Sequence, residues 1–288
     1  MSLNRSRIRT TVGAAVACAA AAAAGVLAPA PASATSATSA TSATSAALPP
    51  VHAGFDYQIG GAYTPPSGVR VVSRDHSASP APGLYNICYV NAFQTQKIGQ
   101  PGGPDDWPSD LLLKNDAGDV IIDTDWDEAI LDITTEKKRE AIAKRIDAQI
   151  DECAAKGFNA LEPDNFDTFT RDVVEGRITE DHAQTYIRML SAHGHGKGLA
   201  VGQKNTVELA GNHAANGLDF AIAEECGNPD YHECADYVAE FGDHAIFIEY
   251  TNAGMKNACE YGDRVSVVQR DRDVLPKGED GYVRKTCP

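Results

Sequence analysis

The chain has 288 residues, with 25 Lys+Arg against 40 Asp+Glu, a formal charge of −15 and a hydrophobic fraction of 43%. That apolar share suits a folded, soluble protein and excludes a disordered or fibrous one. The acidic balance argues against a general nucleic-acid binder and against an anionic membrane as partner, and leaves cationic or neutral substrates open.

Arg5, Arg7 and Arg9 precede an Ala/Val-rich run from about Val12 to Leu27, followed by Ala32-Ser33-Ala34. A basic region, a short apolar region and an A-x-A cleavage site are the parts of a secretory signal peptide, so residues 1–34 are expected to be removed on export. The apolar run is Ala-dominated and marginal for spanning a bilayer, and no second long apolar span follows, so no membrane partner is expected. Thr-Ser-Ala then repeats four times from Thr35 to Ala46. Residues 35–50 therefore read as a low-complexity linker with nothing to bury. The expected folded domain is 51–288, a common size for one α/β barrel, and it is expected to act as a monomer.

Removing 1–34 takes away three arginines and no acid, which leaves a charge of −18 and six cysteines. An even cysteine number in an exported chain reads as three disulfides. Fifteen pairings are open to six cysteines: Cys226 and Cys234 flank a short Gly/Asn/Pro-containing loop they could close, Cys287 could tie the tail to Cys259, and only elimination would then join Cys88 to Cys153. No C-x-x-C spacing supports a zinc site, and no metal or cofactor is expected.

Along the chain, short apolar runs recur between helical patterns. The strand candidates are Phe55–Gln58, Val69–Ser73, Ile87–Asn91, Ile130–Ile133, Ala160–Glu162, Leu199–Gly202, Phe220–Ala223, Ala245–Tyr250 and Val265–Val268. Several lack polar alternation, as buried parallel strands do. Between them, Thr134–Lys156 reads as a helix with Ile142, Ile146, Ile150 and Cys153 on one face and Gly157 as its stop. A second helix starts at the N-cap Thr179, with Glu180 and Asp181 in its first turn. Alternation of this kind predicts a parallel (β/α)8 barrel of TIM type, with a doubly wound sheet as the alternative. Nine candidates compete for eight places, so one lies outside the barrel.

Polar residues gather at one end of these strands. They are Asp56 and Gln58, Asp75, Asn91, Asp132, Glu162 with Asp164 and Asn165, Lys204 with Asn205, Glu224 with Glu225, and Glu249. A barrel brings them to its C-terminal rim, where active sites of that fold lie. Carboxylates with amides, one lysine and the nearby Tyr57, Tyr63 and Tyr250 suit sugar cleavage: acids supply proton and nucleophile or base, and aromatic faces stack on pyranose rings. Lys204 in such a setting reads as an ion-paired structural or substrate-orienting group. No G-x-S-x-G, P-loop or H-E-x-x-H is present. His193 and His195 at a Gly-rich helix end read as surface residues.

The run Gly157-Phe158-Asn159-Ala160-Leu161-Glu162-Pro163-Asp164-Asn165-Phe166-Asp167 resembles the G-F-D-G-x-E-P-D-N-x-D signature of the family 114 glycoside hydrolases. Gly198–Asn205 is similar to their G-L-x-x-x-x-K-N strand. Phe220–Cys226 with Tyr231 and Glu233-Cys234 is similar to F-A-V-N-E-Q-C…Y-x-E-C. Asn159 and Ala160 replace the usual Asp and Gly, Ala223 the usual Asn, and Glu225 the usual Gln. Two glutamates are thus adjacent, and strand pleating sends only one of them inward.

The resemblance implies a secreted TIM-barrel endo-α-1,4-polygalactosaminidase that cuts partly de-N-acetylated galactosamine polymers, usually with retention. It implies Asp164 and Glu224 as the catalytic pair. Asp56, Asp132, Glu162 and Glu249 are candidates for amine or hydroxyl contacts, joined around the site by Tyr57, Asn165, Lys204, Asn205, Glu225 and Tyr250. The expected partner is a cationic or partly N-acetylated galactosamine polysaccharide, which a chain of this charge attracts. Two alternatives are a barrel that binds aminosugar polymer without cutting it, and a metal-dependent deacetylase, for which no His/Asp ligand set stands out.

Overall fold

In the computed structural model, which describes residues 46–288, the apolar runs become parallel strands joined by helices or loops. The expected signal peptide and most of the Thr-Ser-Ala repeat lie outside the described residues. In chain order the elements are β1 (Gly54–Gln58), β2 (Val69–Asp75), β3 (Tyr85–Asn91), β4 (Gln94–Lys97), β5 (Ile122–Asp123), β6 (Glu128–Ile130), α1 (Glu136–Lys156), β7 (Ala160–Asp164) and α2 (Glu180–Gly196). They continue with β8 (Ala200–Lys204), α3 (His213–Asn216), β9 (Phe220–Glu224), α4 (Cys234–Phe241), β10 (Ala245–Glu249), α5 (Asn252–Ala258), β11 (Ser266–Arg270) and β12 (Arg284–Lys285).

Eight strands pair in parallel in the order β1-β2-β3-β7-β8-β9-β10-β11. The sheet curls until β1 packs beside β11. The seam is closed by side chains: the Ala53 N–H donates to Ser266 Oγ at 3.0 Å, and Arg284 on β12 reaches the Phe55 carbonyl at 2.9 Å. This is the expected α/β barrel. Its first two crossovers, residues 59–68 and 76–84, hold no helix. The candidate outside the barrel is Ile130–Ile133. It begins at the end of β6, the middle strand of an antiparallel sheet of order β4-β6-β5 inserted between β3 and α1.

Strand alternation separates two apolar layers. Phe55, Tyr57, Val71, Ile87, Ala160, Ala200, Phe220, Ile222, Ile246, Ile248 and Val268 fill the barrel interior. Large and small residues interlock there: a Cβ on Gly202 would stand 2.9 Å from the Phe220 ring. The intervening positions face the helices. Ile142, Ile146, Ile150 and Cys153 of α1 bury against this outer surface, as their spacing predicts. Thr135 caps α1 by accepting from the Lys138 N–H, and Gly157 ends it at φ +89°, where a Cβ would be strained. Thr179 caps α2 in the same way.

The three disulfides are Cys88–Cys153, Cys226–Cys234 and Cys259–Cys287. The first ties β3 to α1, the second closes the loop after β9, and the third anchors the tail. No helix among the described residues is long and apolar enough to cross a membrane.

Candidate active site

Three neighbouring strands, β7, β8 and β9, end in Asp164, Lys204 and Glu224. The next residue in each case, Asn165, Asn205 or Glu225, has positive φ: +66°, +47° and +57°. These left-handed turns stop the strands abruptly and leave the last side chain of each at the mouth of the barrel. Asparagine adopts this conformation cheaply. Glutamate does so at a cost, of the kind seen where function holds the backbone.

The inward positions near the mouth form one bonded network around Lys204. Its ammonium lies 3.2 Å from Glu162 Oε1, 3.2 Å from Asp164 Oδ1 and 3.2 Å from Glu224 Oε2. Each carboxylate also has its own tyrosine. The Tyr57 hydroxyl donates to Glu162 at 2.9 Å, the Tyr89 hydroxyl to Asp164 at 2.7 Å, and the Tyr250 hydroxyl to Glu224. Ser73 completes Glu162, the Asn165 N–H completes Asp164 at 2.8 Å, and the Asn205 amide completes Glu224 at 3.2 Å.

Exposure divides the three acids. Glu162 is fully enclosed, whereas the Asp164 and Glu224 side chains keep 17% and 22% of their surface open to the cleft. Glu162 is thus enclosed beneath the cleft, and of the three acids only Asp164 and Glu224 open into it. Burial raises the Glu162 carboxyl, and the Lys204 charge only partly offsets it. Burial also acts on Asp164, but there the Lys204 ammonium, the Tyr89 hydroxyl and the Asn165 N–H prevail and hold it below the ordinary carboxylate range. Lys204 itself is disfavoured as a cation by burial, yet Asp164, Glu224 and Glu162 together keep it charged.

Above this network opens a cleft of about 700 Å³. Asp164, Glu224, Asn165, Asn205, Glu225 and Tyr250 line it; Tyr57, Glu162 and Lys204 lie beneath its floor. Among the described residues its walls carry nine carboxylates against three cations, Lys97, Arg171 and Arg272. The remaining residues expected at the site lie elsewhere. Asp56 is enclosed by Gln58, Tyr63 and Arg284. Asp132 pairs with Lys138 and Thr134 at the start of α1. Glu249, one residue out of step with the inward Ile248, points to the helix side and accepts from the Gly227 N–H at 2.7 Å.

Several cleft residues escape a reading of strand ends. Tyr89 is detectable from the alternation of β3, two residues after the inward Ile87. Asp167 lies in the quoted E-P-D-N-F-D run and pairs with Arg171 at 3.4 Å. Trp126 lies in the turn between β5 and β6 and Glu128 at the start of β6, where no periodicity marks them. One His/Cys/Asp/Glu grouping of metal-ligand spacing occurs among the described residues, Cys226, Cys234 and Glu249. Its two sulfurs are joined to each other and offer no thiolate. His193 and His195 pair with Asp151 and Asp219 at the outer surface.

The fold has counterparts among solved structures. The crystal structure of Aspergillus fumigatus Ega3 in complex with galactosamine matches with a TM-score of 0.66 at 19% identity, covering 85% of this chain and 98% of that one. The glycoside hydrolase domain of a PelA variant from Pseudomonas aeruginosa matches with a TM-score of 0.51 at 14% identity, covering 81% and 97%. At these identities the likeness carries the fold. No curated protein sequence matches the chain. The model of glycoside-hydrolase family GH114 does match, over residues 35–288, and the chain accordingly belongs to that family.

Proposed function

We propose that the protein is an exported, endo-acting glycosidase that cuts α-1,4-linked galactosamine-containing polysaccharide with Asp164 and Glu224. The observation that carries this reading is the meeting of both carboxylates on one buried ammonium at the floor of an acidic cleft. Family membership supplies the reaction class, and the galactosamine bound to the structurally similar Ega3 supports the sugar. Nine cleft carboxylates suit a polymer whose free amines are cationic. Six described cysteines, all in disulfides, fit an oxidising compartment and the expected signal peptide.

Asp164 is held ionised and takes the role of nucleophile; Glu224 takes the proton transfers. Glu224 gives its proton to the glycosidic oxygen as that bond to the anomeric carbon breaks. Asp164 attacks the same carbon from the opposite face and forms a glycosyl ester. Glu224 then accepts a proton from water, and the resulting hydroxide displaces Asp164 and regenerates both groups. Retention is what the family resemblance implies, and the shared ammonium is compatible with it. Two oxygens each 3.2 Å from Lys204 Nζ stand no further apart than twice that distance. Retaining carboxyls are typically about 5–5.5 Å apart, against roughly 6.5–9.5 Å for inverting ones.

The test is product release from α-1,4-polygalactosamine by the purified secreted protein, read by mass spectrometry, with the anomeric configuration followed by NMR. Wild type is expected to give oligosaccharides that keep the α configuration. A wild-type protein that binds the polymer and releases nothing would replace this reading with a non-catalytic binding barrel.

A further inference from the structure

Among the described cleft acids Glu128 is the one that is both buried and without a cation; Asp75, Glu208, Glu233 and Asp273 also lack one but are more exposed. Asp164 and Glu224 share Lys204, Asp167 faces Arg171, and Glu225 faces Arg272 at 3.0 Å. Glu128 lines the same cleft, yet it is only 9% exposed and no described lysine or arginine nitrogen lies within salt-bridge distance of it. Its one hydrogen-bond partner is neutral: the Asn91 amide donates to Oε2 at 2.8 Å. Lys97, opposite it in the β4–β6 register, lies instead over the Trp126 ring at 5.7 Å.

A buried carboxylate without a counter-charge is costly unless a ligand supplies one. Burial pushes the Glu128 carboxyl up to about 7; Asn91 and Lys97 pull it down, and Asp164 and Asp123 add to the rise. A bound cation would reverse that.

Glu128 is also tied to the reaction centre. Asn91 Oδ1 accepts from the Asn165 amide at 2.9 Å, and the Asn165 N–H donates to Asp164 Oδ1 at 2.8 Å. A sugar held over Asp164 therefore lies within the reach of the Glu128 wall. Resting on the substrate reading above, we propose that Glu128 receives the ammonium of a galactosamine unit beside Asp164 and is a residue that selects de-N-acetylated sugar. An N-acetylated unit offers no charge to this carboxylate.

The test compares wild type with Glu128→Gln on two α-1,4-galactosamine oligomers of equal length, one fully de-N-acetylated and one half acetylated. The ratio of kcat/KM for the first over the second is expected to fall tenfold or more in the variant, the scale of a hydrogen bond to a charged group. An equal loss on both oligomers is what a merely positioning role through Asn91 and Asn165 produces, and it overturns the proposal; so does no change on either.

Calorimetric binding of galactosamine and of galactose to both proteins reads the same preference without turnover. Wild type is expected to favour galactosamine about tenfold more strongly than Glu128→Gln does. If wild type shows that preference but cuts neither oligomer, the hydrolase reading fails and this one stands. If wild type cuts and the variant keeps the preference, only this one falls. Should Glu128→Gln melt prematurely, Glu128→Ala, which removes the carboxylate and its bond to Asn91, reports the same two ratios.

Discussion

Glu224 and Glu225 are consecutive in the chain, yet only Glu224 meets the buried Lys204 ammonium. Glu224 closes β9 on its inward face, 3.2 Å from Lys204 Nζ. Glu225 has already turned left-handed and pairs at the cleft wall with Arg272, whose guanidinium carbon also stands 5.8 Å from the Tyr250 ring centroid. Pleating plus one left-handed turn thus gives two identical side chains different positions.

The expected outcome is an unequal mutational pattern. Glu224→Gln should lower kcat on polygalactosamine by about 10²–10⁴-fold, the usual range for a lost acid–base group, and Asp164→Asn, which loses the nucleophile, by at least as much, both with unchanged melting temperature within a few degrees. Glu225→Gln should keep most of the turnover, because its loss frees Arg272 without touching the pair. Should Glu225→Gln be the inactive variant, the assignment moves by one residue.

Lys204→Met should do two separable things. Three carboxylates lose their common counter-charge inside the protein, and breaking a buried pair of this kind costs about 3–5 kcal/mol. Asp164, held low chiefly against the pull of burial by this ammonium, should also become easier to protonate. A depressed carboxyl contributes above its unfolded value and loses that contribution as pH falls through its folded value, so removing the cause moves the loss upward. The acid limb of the kcat/KM profile is expected to shift to higher pH in any residual activity of the variant. A profile that keeps its acid limb would show that Tyr89 and the Asn165 N–H suffice.

Much of this centre is legible in the sequence because buried parallel strands announce themselves. Eight of the nine apolar runs are barrel strands, and the position of each last polar residue then follows from where the run stops. Asp164, Lys204 and Glu224 are found that way. Asp56 and Glu249 illustrate the limit: both lie in strands near the rim, but alternation places them on the side away from the interior, which a strand-end criterion ignores. Asp132 is misplaced for another reason. Its run continues past the inserted sheet into the approach to α1, so its carboxyl serves Thr134 and Lys138. Glu128 and Trp126 leave no periodic trace because β5 and β6 are two and three residues long.

The disulfides should contribute unequally. Cys88–Cys153 spans 65 residues and Cys226–Cys234 spans 8. On loop-closure entropy, the first is worth about 4.3 kcal/mol and the second about 2.5 kcal/mol. Paired Cys→Ser variants should therefore differ in denaturant midpoint, with Cys88/Cys153 the more damaging. Activity should follow the opposite order in whatever folds. The short bridge closes the loop that brings Tyr231 and Glu233 to the cleft, whereas the long one lies on the outer side of β3.

Glu249 gives a stability test independent of activity. Its carboxyl is enclosed by Gly227 and Gly254, and a Cβ on Gly254 would collide with it, so no water shell fits there. Burial raises it from 4.5 to about 7, with the Gly227 N–H opposing and Glu225 adding to the rise. Between those values the folded protein holds a proton that the unfolded chain releases, so folding stability falls as pH rises through this window. The expected loss from pH 5 to pH 8 is on the order of 3 kcal/mol, or several degrees in melting temperature. Asp164 and Asp132 act the other way, but as depressed carboxyls their contributions change only below their ordinary value of 3.8 and leave this window clear. Glu249→Gln keeps an acceptor for Gly227 and never ionises. It should flatten the pH 5–8 slope of the melting temperature and be more stable than wild type at pH 8. Glu128, raised to about 7, acts in the same direction, so the slope remaining in Glu249→Gln should shrink further in the double variant with Glu128→Gln, leaving only what other burial-raised carboxyls such as Glu162 add. A wild-type melting temperature that climbs from pH 5 to pH 8 would mean that neither carboxyl holds its proton in the folded protein.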